Sequence, residues 1–131
     1  MAKKERFYVI SDIAYGDITF GGYKTPSIMS VPGAKDVAVE SFTLSKSYNM
    51  AGWRVGMVLG NSEHISNILK VKSNMDSGMF YGIQKGAIEA LKCSKMWFVT
   101  LNSVYKRRRD LVWELAEALN CTYDKNATGL F

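Results

Sequence analysis

Lys46 is a lone amine set among hydroxyls and small residues in the stretch ESFTLSKSYNMAGWRVG (Glu40–Gly56). Arg54 follows eight positions later, just before an apolar run. Upstream, Asp12 closes a short β-branched and aromatic run, and Tyr15 comes three residues after it. A lysine that acts as a nucleophile must lose its proton near neutral pH, so it needs a desolvated or cationic setting. Bracketing strands supply the first and Arg54 the second. Taken singly, each residue has an ordinary explanation. A loop lysine is usually solvated, and an aspartate at a strand end often caps a turn.

Together they form a chemically coherent set. An amine (Lys46), a carboxylate (Asp12), a phenol (Tyr15), a guanidinium (Arg54) and two hydroxyls (Thr43, Ser45) match the needs of pyridoxal phosphate. The aldehyde of that cofactor needs a lysine for its imine. Its ring nitrogen needs a carboxylate to stay protonated, so that the ring draws electrons. Its 3′-oxygen takes a hydrogen bond from a phenol, and its phosphate takes a guanidinium and hydroxyl donors.

The elements that must position this set are readable from the pattern. Arg6–Ser11, Val37–Phe42 and Arg54–Gly60 read as strands. Asp12 then falls at the carboxyl end of the first, where ligand sites gather in open α/β sheets. GDITFGGYKTPS is punctuated by glycine and proline and reads as loop. Beyond Gly60 the apolar period becomes helical. Asn61 or Ser62 caps a helix that carries Ile65, Ile68, Leu69 and Val71. SNMDSGMF interrupts it, with Asp76 or Ser77 as the next N-cap, and a second helix spans about Phe80 to Cys93. A third runs through Trp97, Leu101, Val104, Leu111, Leu115 and Leu119, and Thr122–Tyr123 opens a further strand. The class is α/β. Because a parallel sheet needs neighbours and covered faces, the 131 residues read as a piece of a larger enzyme, truncated at both ends.

Composition narrows the classes. With 131 residues, 47% apolar and 22% charged, the chain can build a real core and is not a disordered polymer. A net charge of +5 suits anionic ligands and is weak support for nucleic acid. The run Lys106–Asp110 (KRRRD) reads as a solvated helix face with Arg108 nearest the apolar stripe, and no recognition helix or stacking platform accompanies it. Cys93 and Cys121 fit no zinc spacing and are expected as reduced thiols in or near the core. His64, the lone histidine, is expected to be solvated, and no metal site is expected. Trp53 should pack beside the site, and Trp97 and Trp113 in core or interface. No secretory signal and no apolar span of ~20 residues is visible, so a cytoplasmic location without a membrane partner is expected.

TLSKSYNMAGWRVG (Thr43–Gly56) resembles the cofactor-attachment motif of the fold-type I, class I/II aminotransferases, and SDIAYGDITF (Ser11–Phe20) resembles their upstream aspartate–tyrosine segment. The resemblance covers essentially the whole chain. It implies part of the large cofactor-binding domain over residues 1–131, with Lys46 as the Schiff-base lysine and proton-moving base. Asp12 would sit on the pyridine nitrogen, Tyr15 on the 3′-oxygen and Arg54 on the phosphate. Thr43 stands where relatives commonly carry serine, and Ser45 is a further phosphate candidate. The implied reaction is amino transfer between an α-amino acid and a 2-oxo acid, in a homodimer. The rest of the family's site lies outside these residues, so the 131-residue chain by itself is expected to be inactive. KSNMDSGMF resembles a family segment near the dimer interface. Three alternatives stay open: a C–S lyase on the same scaffold, an aminotransferase-like sensor domain of a transcriptional regulator, and a plain interaction domain.

Overall fold

The computed structural model describes residues 1–130. A single-turn helix, α1 (Ala2–Glu5), leads into β1 (Val9–Asp12), which starts later than the apolar run suggests. The delay has a local cause: Arg6 adopts left-handed backbone (φ 54) and turns the chain before it can extend. Residues 13–37 then cross to β2 (Ala38–Thr43), with only two 3-10 turns on the way, Ile28–Ser30 and Ala34–Asp36. β1 and β2 are parallel, with Asp12 opposite Ser41.

β2 runs straight into a one-turn helix, α2 (Leu44–Ser47). A 3-10 turn (Ala51–Trp53) follows, and the chain returns as β3 (Gly56–Leu59). β3 lies antiparallel to β2, with Gly56 opposite Thr43, so the sheet order is β1-β2-β3. The expected α/β class holds, and the antiparallel edge is an addition to it. Three helices complete the chain: α3 (Ser62–Met75), α4 (Tyr81–Ala90) and α5 (Lys95–Ala118). Asn61 caps α3 as expected, its Oδ1 accepting from His64 N at 2.9 Å.

Two small apolar clusters hold these elements. Leu44, Met50 and Val55 of the Lys46 segment bury against Ala87 of α4. Ile18 and Phe20 of the crossover bury against Leu101 of α5. A core residue of this kind stabilises by about 1.5–3 kcal/mol relative to exposure. The segment that carries Lys46 is thus packed from below.

Several expectations change. Cys93 and Cys121 are free but exposed, each lying three residues past the end of a helix, α4 and α5 in turn. Asp76 ends α3, paired with Lys72, and α4 begins after Phe80 without a side-chain cap. No strand forms at Thr122–Tyr123. The Tyr123 ring stacks on Trp113 at 5.1 Å and its hydroxyl donates to Glu117, which folds the segment back on α5. His64 is half-buried rather than solvated. Its Nε2 lies 3.0 Å from the Asp36 carbonyl oxygen, and its ring meets Tyr8 edge-on. In KRRRD it is Arg109, not Arg108, that turns inward, between the rings of Phe20 (4.6 Å) and Trp113 (4.0 Å). An aromatic sandwich accommodates a guanidinium plane well. Among the described residues no helix is long and apolar enough to cross a membrane.

Candidate cofactor site

The sequence-predicted residues collect at one end of the sheet, for a topological reason. β1 and β2 are parallel, so their carboxyl ends lie side by side, and the residues that follow each strand emerge together. β3 begins at that same end, which brings Arg54, two residues before it, to the same edge.

Asp12 closes β1. Its Oδ1 accepts from Ala14 N at 3.0 Å, an Asx turn that starts the crossover and leaves the carboxylate exposed at the strand end. Tyr15 follows on the next turn, where Gly16 N donates to Ile13 O at 2.9 Å. Asp12 and Tyr15 both line a cleft of ≈ 270 Å³, together with Gly16, Thr25 and Thr128. Lys46 reaches Tyr15 from α2, the turn that follows the neighbouring strand. Its Nζ stands 5.4 Å from the centre of the phenol ring.

The hydroxyls serve the backbone as well as the site. Thr43 is the N-cap of α2, its Oγ1 accepting from Ser45 N at 3.1 Å. The same oxygen lies 2.9 Å from Ser45 Oγ and donates toward the Val55 carbonyl oxygen at 3.0 Å. Thr43 therefore ties α2 to the residue that follows Arg54. Arg54 itself is left-handed (φ 55, ψ 45), and its Nη1 donates to Ala51 O at 2.9 Å. The guanidinium is exposed and anchored at one nitrogen to its own turn.

Two tryptophans support the Lys46 segment. Trp97 Nε1 on α5 donates to Ser47 O at 2.8 Å, which fixes the last turn of α2. The Trp53 indole lies over Gly86 of α4; a Cβ there would come within 2.4 Å of it, so glycine is what admits the ring. The structure thus brings Tyr15 and Lys46 face to face, joins Thr43 to Ser45, and sets Arg54 and Asp12 at the same sheet end. It does not bond Asp12 to Lys46; the Asp12 bond goes to Ala14. The donor set fits pyridoxal phosphate: an amine and a phenol in mutual reach, a carboxylate at the adjoining strand end, and hydroxyls and a guanidinium at the same end of the sheet.

One residue escapes the sequence reading. Glu40, in the middle of β2, is 2% exposed. Both its oxygens accept hydrogen bonds from the crossover, Oε1 from Ser27 Oγ and Oε2 from Ile28 N, each at 2.7 Å. The only local signal is that Glu40 shares its strand face with Ala38 and Phe42 in VAVESF.

The fold and site define an open α/β sheet with an amine, a phenol and a carboxylate at its strand ends. A family model described as "Aminotransferase class I and II" matches residues 1–131. Among curated proteins, the glutamate-pyruvate aminotransferase AlaC of Escherichia coli (strain K12) is 50% identical over 112 residues, covering 86% of this chain and 27% of that protein. LL-diaminopimelate aminotransferase 2 of Trichormus variabilis is 48% identical over 101 residues, covering 77% of this chain and 26% of its own length. Among solved structures, a probable N-succinyldiaminopimelate aminotransferase from Thermus thermophilus superposes with a TM-score of 0.83 at 36% identity, over 89% of this chain and 32% of that one. Apo-BacF from Bacillus subtilis gives 0.88 at 32%, over 97% and 32%. The chain belongs to the class I and II aminotransferases. It spans about 27% of the length of AlaC. Family membership implies pyridoxal phosphate as the usual cofactor.

Proposed function

We propose that residues 1–131 form the lysine-bearing, C-terminal part of the large pyridoxal-phosphate domain of an aminotransferase. The parent enzyme transfers an amino group between an α-amino acid and a 2-oxo acid. What carries the reading is the meeting of Lys46 Nζ with the Tyr15 ring beside Asp12, at the carboxyl ends of two adjacent parallel strands. The relatives named for glutamate, pyruvate and LL-diaminopimelate support amino-acid and 2-oxo-acid substrates.

When bound, the cofactor supplies an electron sink next to the substrate Cα. The chain's own residues do the rest. Lys46 would hold the cofactor through Nζ and, once the substrate amine has displaced it, would as a free amine take the proton from the substrate Cα. Asp12 keeps a proton on the ring nitrogen. Tyr15 donates from Oη to the 3′-oxygen. Arg54 and the Thr43 and Ser45 hydroxyls hold the phosphate, the arginine with its forked donors. A second copy of the protein completes the assembly, in the cytoplasm.

The direct test is chemical trapping. Borohydride reduction of the holoprotein should leave the cofactor on the peptide that contains Lys46, seen by mass spectrometry. Lys46→Ala should lose both the adduct and the visible absorbance. An adduct that persists in that variant, or maps to another lysine, would overturn the assignment.

A further inference from the structure

We propose that Glu40 is a positioning residue for the cofactor site: through the β1–β2 crossover it seats Tyr15 against Lys46. The proposal rests on the cofactor reading above. Side chains alternate along β2, so Glu40 and Ala38 share the face beneath the crossover, while Ser41 and Thr43 point to the other. A buried carboxylate is costly to desolvate, and an apolar side chain of similar size would fill that space without the cost. The acid adds a two-point hold on a segment that has no strand or long helix of its own. Oε1 takes the Ser27 hydroxyl and Oε2 takes the Ile28 amide. Ser27 in turn caps the Ile28–Ser30 turn, its Oγ accepting from Met29 N at 3.1 Å.

The link continues to the site. Two residues before Ser27, Thr25 Oγ1 donates to Gly16 O at 2.7 Å. Its methyl faces Gly16, where an added Cβ would lie 3.5 Å from Thr25 Cγ2. Gly16 closes the turn that carries Tyr15, through its amide to Ile13 O, and Ile18 N donates to Tyr15 O at 3.0 Å. β2 therefore references both partners. It delivers Lys46 directly, three residues past its end, and it delivers Tyr15 by way of Glu40, Ser27, Thr25 and Gly16. Strand and crossover make a closed loop around the contact between amine and phenol.

The readout is the pH midpoint of the cofactor absorbance in the holoenzyme. A phenol that donates to the deprotonated 3′-oxygen stabilises that form and lowers the midpoint; losing the bond raises it. Tyr15→Phe should raise the midpoint by on the order of one pH unit, the scale of one hydrogen bond. Thr25→Val keeps the shape, breaks the link and leaves the Glu40 bonds intact, and should raise the midpoint in the same direction. Glu40→Ala should do so too, while Glu40→Gln, which still accepts from Ile28 N, should stay near wild type. In a Tyr15→Phe background neither Thr25→Val nor Glu40→Ala should add a further shift. If Glu40→Ala does not fold, Ser27→Ala, which removes the donor to Glu40 Oε1, takes its place and should raise the midpoint. With Tyr15→Phe shifted, a wild-type midpoint in folded Glu40→Ala, or in Ser27→Ala where that variant stands in for it, overturns the positioning role, and so does a wild-type midpoint in Thr25→Val. An unshifted Tyr15→Phe overturns the cofactor reading of Tyr15, and this proposal with it.

Discussion

Arg54 stands in left-handed backbone, a conformation that costs a non-glycine residue about 1–2 kcal/mol. Asn49, five residues earlier, is also left-handed (φ 55), but asparagine tolerates that conformation, so the strain sits at the Arg54 end of the turn. Strain of this kind persists where the surroundings over-determine it, as the buried Leu44–Met50–Val55 cluster does here. Arg54→Gly would release it. We expect apo-protein stability within about 1 kcal/mol of wild type, because the relief offsets the extra chain entropy of glycine and the lost Ala51 bond. Cofactor affinity should fall at least about tenfold, since a charge-assisted hydrogen bond is worth roughly 1.5–3 kcal/mol. Calorimetry of the apo form and a cofactor titration check the two halves separately. At this scale the sequence is informative where function needs rare residue types at strand ends. Lys46, Asp12 and Tyr15 are legible as a set because each lies at or just past a strand. Glu40 is not, because an acid in an alternating strand reads as its solvent face, and its partners Ser27 and Ile28 lie a dozen residues away with no local cue.

Elements differ in how much of them is written locally. The helical period of α5 is clear from Trp97 to Leu119, and the helix occupies Lys95–Ala118. The direction of β3 is not clear: the stretch from Leu44 to Val55 is too short and too glycine-punctuated for a long helix, but its residues do not name the turn that sets β3 antiparallel to β2. Packing decides instead: Leu44 N donates to Val55 O at 3.1 Å and pinches the stretch into a return. On α5, Asp110 accepts from Lys106 (2.7 Å) and Arg109 (2.9 Å), and the bond from Lys106 first, then that from Arg109, holds its carboxyl below the ordinary carboxylate range. A lowered folded value makes the contribution complete above about pH 4 and lost as the pH falls through the lowered value. Stability of the native protein should therefore drop more steeply in acid than that of Asp110→Asn, with the two curves parallel at neutral pH. Denaturant melts from acid to neutral pH would show it, and parallel curves throughout would refute it. The same aspartate orients Arg109 between Phe20 and Trp113, so the crossover and α5 should loosen together.

Across the whole molecule, packing is uneven. The crossover and the Lys46 segment hold most of the buried side chains, while α3, α5 and the link before α4 keep large apolar side chains in solvent. Leu69 is 60% exposed, Met75 76% and Phe80 73%. The apolar stripes read from the sequence are real, but period alone does not say whether a stripe meets this chain or another surface. Contiguous apolar surface of this sort promotes association. The 131-residue chain expressed by itself should form dimers or larger species by light scattering, and a monodisperse monomer at micromolar concentration would count against these faces being interaction surfaces.

Phe20 N donates to Thr128 Oγ1 at 3.1 Å, and Asn102 Nδ2 to Asp17 O at 2.9 Å. Both bonds join the crossover to segments made much later. A ribosome adding about 5–20 residues each second needs roughly 5–20 s to travel from Phe20 to Thr128. For that interval the turn bearing Tyr15 has its local bonds but not its distant clasp. The turn bearing Tyr15 is thus made before the Lys46 segment but clasped after it, because Thr128 follows Ala87 and Trp97, which hold that segment, along the chain.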